Sequence, residues 1–188
     1  MEKLFKQLSD IQASLFVLFH KTWIYHWNVV GPDFQQLHTL FGDQYTAMFE
    51  EIDRLTEHMR FLGMKPVSTL TRITEVTHIE QASNSAQGIN AKIMVKQLLG
   101  DNQTLIDMLI DASNSAERIE SLATANILQD LMESHGKFVW MLRSISETAR
   151  SASPSLEDIE IEVPQETPQE VPVQTESVET VEEVIPEE

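Results

Sequence analysis

From Leu4 to Val29 the apolar positions fall three and four residues apart. Leu4, Leu8, Ile11, Leu15, Leu18 and Val29 share one stripe, and Thr22 and His26 stand on it too. A helix turns once in 3.6 residues, so this spacing predicts one amphipathic helix over residues 1–30. Gly31-Pro32 ends it, because proline has no amide hydrogen and disfavours helix in the residue before it. Asp33 is then a fitting N-cap for a second helix. Its stripe runs through Phe34, Leu37, Phe41, Met48, Ile52, Leu55, Met59 and Leu62 to a stop at Gly63 and Pro66. Residues 68–80 read as a short connecting helix opened by Ser68, and Ser83 to Gly88 as a loop. A third helix places Met94, Leu98, Leu105, Leu109, Ala112 and Ala116 on one face. A fourth places Leu128, Leu131, Met132, His135, Phe138, Val139 and Leu142. Nothing before residue 150 alternates with period two, so an all-α chain is expected. Four long amphipathic helices pack most simply as a bundle. The connection over residues 64–88 is long enough to cross that bundle end to end.

The pattern fails after residue 150. Five of the seven prolines lie in residues 151–188, among Glu, Gln, Thr and Val, which predicts a disordered tail rather than a second packed domain. Charge divides at the same point. Of the net −17, the tail supplies 12 acids and no base, leaving 18 acids against 13 bases, or −5, in residues 1–150. Neither part has the basic excess that a phosphate backbone calls for, so DNA is not an expected partner. There is no cysteine, which excludes disulfides, thiolate nucleophiles and Cys-ligated zinc. The longest apolar run, Ala13 to Phe19 broken by Ser14, is too short for a membrane span, and it lacks the basic start and small-residue cleavage site of a signal peptide. A cytoplasmic location is expected, with no membrane partner.

Any metal must therefore sit on His, Asp or Glu. His26 is on the stripe of the first helix and His38 lies early in the second. Asp53 and Glu57 stand one turn apart in the second helix, with their carboxylates on a common face. Imidazole with carboxylate suits Fe, Mn or Zn better than Ca or Mg. Separation along the helix constrains the assembly. His38 and Asp53 are ~22 Å apart along one axis. They cannot meet on one ion within one chain, so a shared site requires two copies in antiparallel two-fold pairing, with two equivalent sites per dimer. Each signal has a plainer reading. A lone histidine on an apolar stripe is more often an inert core residue, and an Asp-x-x-x-Glu pair is usually a solvated face; spacing does not decide between the readings. His20, His58, His78, His135 and Trp23 are read as structural.

The run His26-Trp27-Asn28-Val29-Val30-Gly31-Pro32-Asp33-Phe34-Gln35-Gln36-Leu37-His38 closely resembles the signature of the Dps family of mini-ferritins, starvation-induced proteins that sequester iron and protect DNA. The resemblance continues through Leu40-Phe41, Tyr45 and Ile52-Asp53-Arg54-Leu55-Thr56-Glu57. It returns at Thr124-Ala125-Asn126-Ile127-Leu128 and from His135 to Arg143, covering residues 1–150. It implies a ferritin-like four-helix bundle with a short helix in the crossover between helices two and three. It also implies a dodecameric hollow shell with ferroxidase centres at its two-fold interfaces. There Fe(II) would be oxidised, preferentially by hydrogen peroxide, and stored as ferric mineral. Carried over by position, His26 and His38 would come from one subunit and Asp53 and Glu57 from its mate. Trp27 would lie beside the iron to intercept stray oxidising equivalents.

The chain departs from that pattern in three places. Many members carry an acid four residues after the second histidine, where Gly42 stands, and Asp43 points ~100° further round the helix. Many carry Asp near the three-fold entry pore where Asn126 stands, with Glu117, Glu120 and Asp130 nearby in sequence. DNA-binding members often have a basic terminal extension, whereas this chain begins Met1-Glu2-Lys3-Leu4-Phe5-Lys6 and ends in acids. A rival reading is thus a structural or DNA-associated shell with reduced ferroxidase activity. Iron-dependent peroxide decay separates the two.

Overall fold

The structure, a computed structural model, describes residues 1–82 and 89–148. Five helices follow in order: α1 (Glu2–Asn28), α2 (Phe34–Phe61), α3 (Leu70–Val76), α4 (Ala91–Arg118) and α5 (Leu122–Thr148). Among the described residues there is no strand. The acidic tail beyond residue 150 and the loop expected at Ser83 to Gly88 lie outside the described residues.

Side-chain pairings fix the helix directions. Lys21 meets Asp101 and Tyr25 meets Gln97, so α1 and α4 are antiparallel. His26 faces His38 and Phe19 faces Phe49, so α1 and α2 are antiparallel. Glu51, Arg54 and His58 meet His135, Asp130 and Thr124 in falling order, so α2 and α5 are antiparallel. Helices α2 and α4 therefore run the same way. The connection between them must return the chain the full length of the bundle, which is the ferritin-like crossover. It is tied to α1 on its way. The Gln12 amide donates to the Val67 carbonyl and accepts from the Val67 amide, and the His78 amide donates to the Ser14 hydroxyl.

The expected stripes form the core. Leu8, Ile11, Leu15, Leu18, Phe41, Met48, Leu55, Met59, Leu98, Leu105, Leu109 and Leu142 are all fully buried. Two local expectations are corrected. The connecting helix opens at Thr69, not Ser68, with the Thr69 hydroxyl accepting from the Arg72 amide at 3.2 Å. Asp33 occupies the N-cap position of α2 but makes no side-chain cap. The turn is closed instead by the Phe34 amide on the Gly31 carbonyl, with Gly31 at φ +115°, a backbone conformation that suits a residue without Cβ. No helix among the described residues is long and apolar enough to cross a membrane.

Candidate metal centre

The tight turn at Gly31 folds the last turn of α1 onto the first turns of α2. His26 and His38 stack there, ring centroids 3.7 Å apart and planes 19° from parallel. Each ring is anchored on the other's main chain. His26 Nδ1 lies 2.7 Å from the His38 carbonyl, and His38 Nδ1 lies 2.8 Å from the His26 carbonyl. A carbonyl only accepts, so Nδ1 donates in both rings. A singly protonated ring then has its lone pair on Nε2, the orientation that metal-binding histidines adopt when Nδ1–H is held by a carbonyl. The His26 carbonyl belongs to the last turn of α1, where helical acceptors lack partners of their own, so one contact satisfies the helix end and aims the imidazole.

The rings are bounded by Phe34, stacked 5.1 Å from His38, and by Tyr45, edge-on 5.2 Å from His26. Gly42 forms the floor. A Cβ at that position would stand 3.2 Å from His26 Cε1. Asp53 and Glu57 lie farther along α2, one turn apart and exposed. The chain does not bring them to the histidines. Among the described residues, no group of three or more His, Asp or Glu converges on one point within a single chain. Trp27 is 56% exposed and packs 4.5 Å from Trp23. These indoles share the outer side of the α1–α2 pair with Phe49, which is 64% exposed. An apolar face of this kind marks a surface that another molecule covers.

One buried polar cluster was not legible in the sequence. His135, read from the sequence only as structural, is fully buried between two polar partners. Its Nδ1 lies 2.6 Å from Asn102 Oδ1 on α4 and its Nε2 lies 3.1 Å from Glu51 Oε2 on α2. Its partners are 33 and 84 residues away in sequence, beyond the reach of any local pattern. His58 bonds Thr124, and Trp23 packs against Phe19 and Trp27. Burial, followed by the charge of Arg54, lowers the His58 pKa. Of the acids near Asn126, Asp130 is held by Arg54 at 2.6 Å, and Glu117 accepts from Gln129 at 3.2 Å.

The model of the ferritin-like domain matches residues 5–152, most of the chain. Relatives narrow the family. A DNA protection during starvation protein of Bacillus anthracis is 32% identical, the match covering 77% of this chain and 94% of that one. The chain belongs to the Dps family of mini-ferritins. An uncharacterized low temperature-induced protein of Nostoc is 35% identical over 74% of this chain and 78% of its own. Among solved structures, Dps from Bacillus brevis superimposes with a TM-score of 0.72 at 32% identity, covering 77% of this chain and 95% of that one. Dps from Staphylococcus aureus does so with a TM-score of 0.74 at 27% identity, over 78% and 96%. As a Dps chain this one keeps both signature histidines and lacks an acid at position 42.

Proposed function

We propose that this protein is a ferroxidase that takes up Fe(II) at sites shared between two subunits and stores the oxidised iron inside a hollow homo-oligomer, a dodecamer. Family membership supports iron storage and protection of DNA as the general role. The observation that carries the finer reading is the reciprocal anchoring of His26 and His38, in which Nδ1–H of each stacked ring is held by a carbonyl and the lone pair is left on Nε2. In this reading Asp53 and Glu57 of the partner subunit complete the set. The axial separation within one chain supports a second copy as their source, and the exposed aromatic face of α1 and α2 is the surface this reading gives to the contact between copies.

In this reading Fe(II) is substrate. Two imidazoles and two carboxylates hold it with open positions for an oxidant, for which hydrogen peroxide is proposed, and the hard carboxylate oxygens favour the ferric product. Trp27, beside the site, intercepts oxidising equivalents that escape. Gly42 favours one alternative, a shell whose iron chemistry is reduced because no carboxylate extends from α2 beside the histidines.

Subunit mixing tests the shared site. His38→Ala and Asp53→Ala are each expected to abolish fast Fe(II) oxidation. Oligomers assembled from both should recover part of it, because a mixed dimer has one site lacking both ligands and one intact. Inactive mixtures that are verified as folded and mixed would sink the shared site. Iron-dependent peroxide decay in the wild type decides between ferroxidase and inert shell.

A further inference from the structure

A second histidine–carboxylate pair lies inside the bundle, within one chain and away from His26 and His38. His135 on α5 is fully buried, and its two ring nitrogens face different partners. Nδ1 lies 2.6 Å from Asn102 Oδ1 on α4. Asn102 is also fully buried, and its Nδ2 donates to the Leu98 carbonyl at 2.7 Å, which turns the amide oxygen to the ring. An amide oxygen only accepts, so Nδ1 carries a hydrogen and donates it. Nε2 is left facing Glu51 Oε2 on α2, at 3.1 Å. Ligating histidines are commonly held in this way, with the far N–H tied to an oxygen acceptor and the near nitrogen aimed by it.

A lone pair on Nε2 and a carboxylate oxygen repel each other unless something positive lies between them. Either a proton or a metal ion meets that need, and the separation suits the ion. A charge-assisted N–H···O bond is commonly about 2.7–2.9 Å long. Two donor atoms about 2.0–2.2 Å from one divalent ion stand about 2.8–3.6 Å apart when the angle between them lies between a right angle and the tetrahedral one. The observed 3.1 Å falls in the second range. The charges agree with it. Among the described residues Glu51 pairs with no Lys or Arg, and Arg54, one turn on, is held by Asp130 at 2.6 Å. The Glu51 side chain is 14% exposed, which shields the carboxylate and still leaves an ion a way in.

We propose that His135 Nε2 and Glu51 Oε2 form a site for a single divalent first-row transition ion within each subunit, with water in the remaining positions. Imidazole with carboxylate suits Zn, Fe or Mn better than Ca or Mg. Its ligands are 84 residues apart in sequence, so the bound ion ties α5 to α2. The site is distinct from the shared one. Glu51 and Asp53 point ~200° apart around α2, the first half-buried against α5 and the second exposed.

The test uses the full chain carrying His26→Ala and His38→Ala, which removes the shared site, with Zn(II) as the probe. Soaked crystals are expected to show an anomalous peak at the zinc edge about 2.0–2.2 Å from both His135 Nε2 and Glu51 Oε2. Wild-type crystals soaked alongside should show the same peak. In solution Zn(II) should raise the melting temperature by a few degrees, as a ligand of the folded state does, and Mg(II) at the same concentration should not. Glu51→Gln removes the anionic ligand, but its amide can still donate to Nε2, so the fold is kept. Both the peak and the rise should vanish in that variant. No peak between the two atoms in either crystal overturns the proposal and gives the gap to a proton. An equal rise in Glu51→Gln overturns it too, because zinc then acts elsewhere. Neither result bears on the shared site, whose histidines are absent from the tested chain.

Discussion

The His26 ring lies over the Cα of Gly42, where a Cβ would stand 3.2 Å from Cε1 and 3.3 Å from Nδ1. Gly42→Ala therefore sets two effects against each other. Alanine in a helix interior is worth about 0.5–1 kcal/mol over glycine, while the methyl must push the imidazole off its carbonyl anchor. The expected variant melts at or slightly above the wild-type temperature and oxidises Fe(II) more slowly. Thermal melts and stopped-flow oxidation read the two effects separately, and unchanged oxidation would mean that the ring position is not critical. Tyr25 offers a test by pH. Burial first, then the charge of Asp101, pushes its phenol from 10.0 up to about 12. The folded state thus prefers the neutral phenol. That contribution is present in full below pH 10 and is lost as pH rises through about 12. Tyr25→Phe should show a shallower loss of stability over that window than the wild type. Parallel alkaline melting curves would contradict the assignment. Both histidines could be named from the sequence. The carbonyl anchors could not, because they depend on the turn bringing two helix ends together.

Between helices, half-buried Glu51 and the buried His135 and Asn102 join α2, α5 and α4 near the middle of the bundle. The Asn102 amide is oriented by its own Nδ2, which donates to the Leu98 carbonyl at 2.7 Å, so Oδ1 faces the imidazole. His135→Ala removes the ring and leaves the buried Asn102 amide oxygen and the half-buried Glu51 carboxylate without this partner. The expected cost is about 2–4 kcal/mol, from the cavity together with the unsatisfied groups. Urea unfolding should show the lower midpoint, and an unchanged midpoint would show that water or repacking replaces the ring. Helix spans were readable from periodicity because each stripe repeats locally. Caps were less so. Ser68 and Thr69 are both N-cap residues by type, with serine the stronger of the two, and only the backbone path chose Thr69.

For the whole molecule, the acidity concentrated beyond residue 150 bears on assembly and on DNA. All the apolar stripes precede Arg150, so a chain cut after Ser151 is expected to elute as the same large oligomer as the full chain. Elution as monomer or dimer would make the tail structural. The 12 acids of residues 151–188 should repel duplex DNA that approaches within the ~8 Å screening length of physiological salt. The truncated form is therefore expected to retain more DNA in a gel shift at low salt, and tight binding by the full chain would reverse the argument.

Periodicity, the glycine and proline stops and the charge break were determined by the sequence itself, because each is a short-range property that a helix or turn reads directly. The candidate ligand set could be named there too, but on the resemblance of the run from His26 to His38; residue type and axial rise add that two chains must supply it if the four residues share one ion. The stacking of His26 on His38 and the polar partners of His135 were decided only by the tertiary structure. They join residues from different helices, and antiparallel packing, not spacing along one chain, chooses which side chains meet.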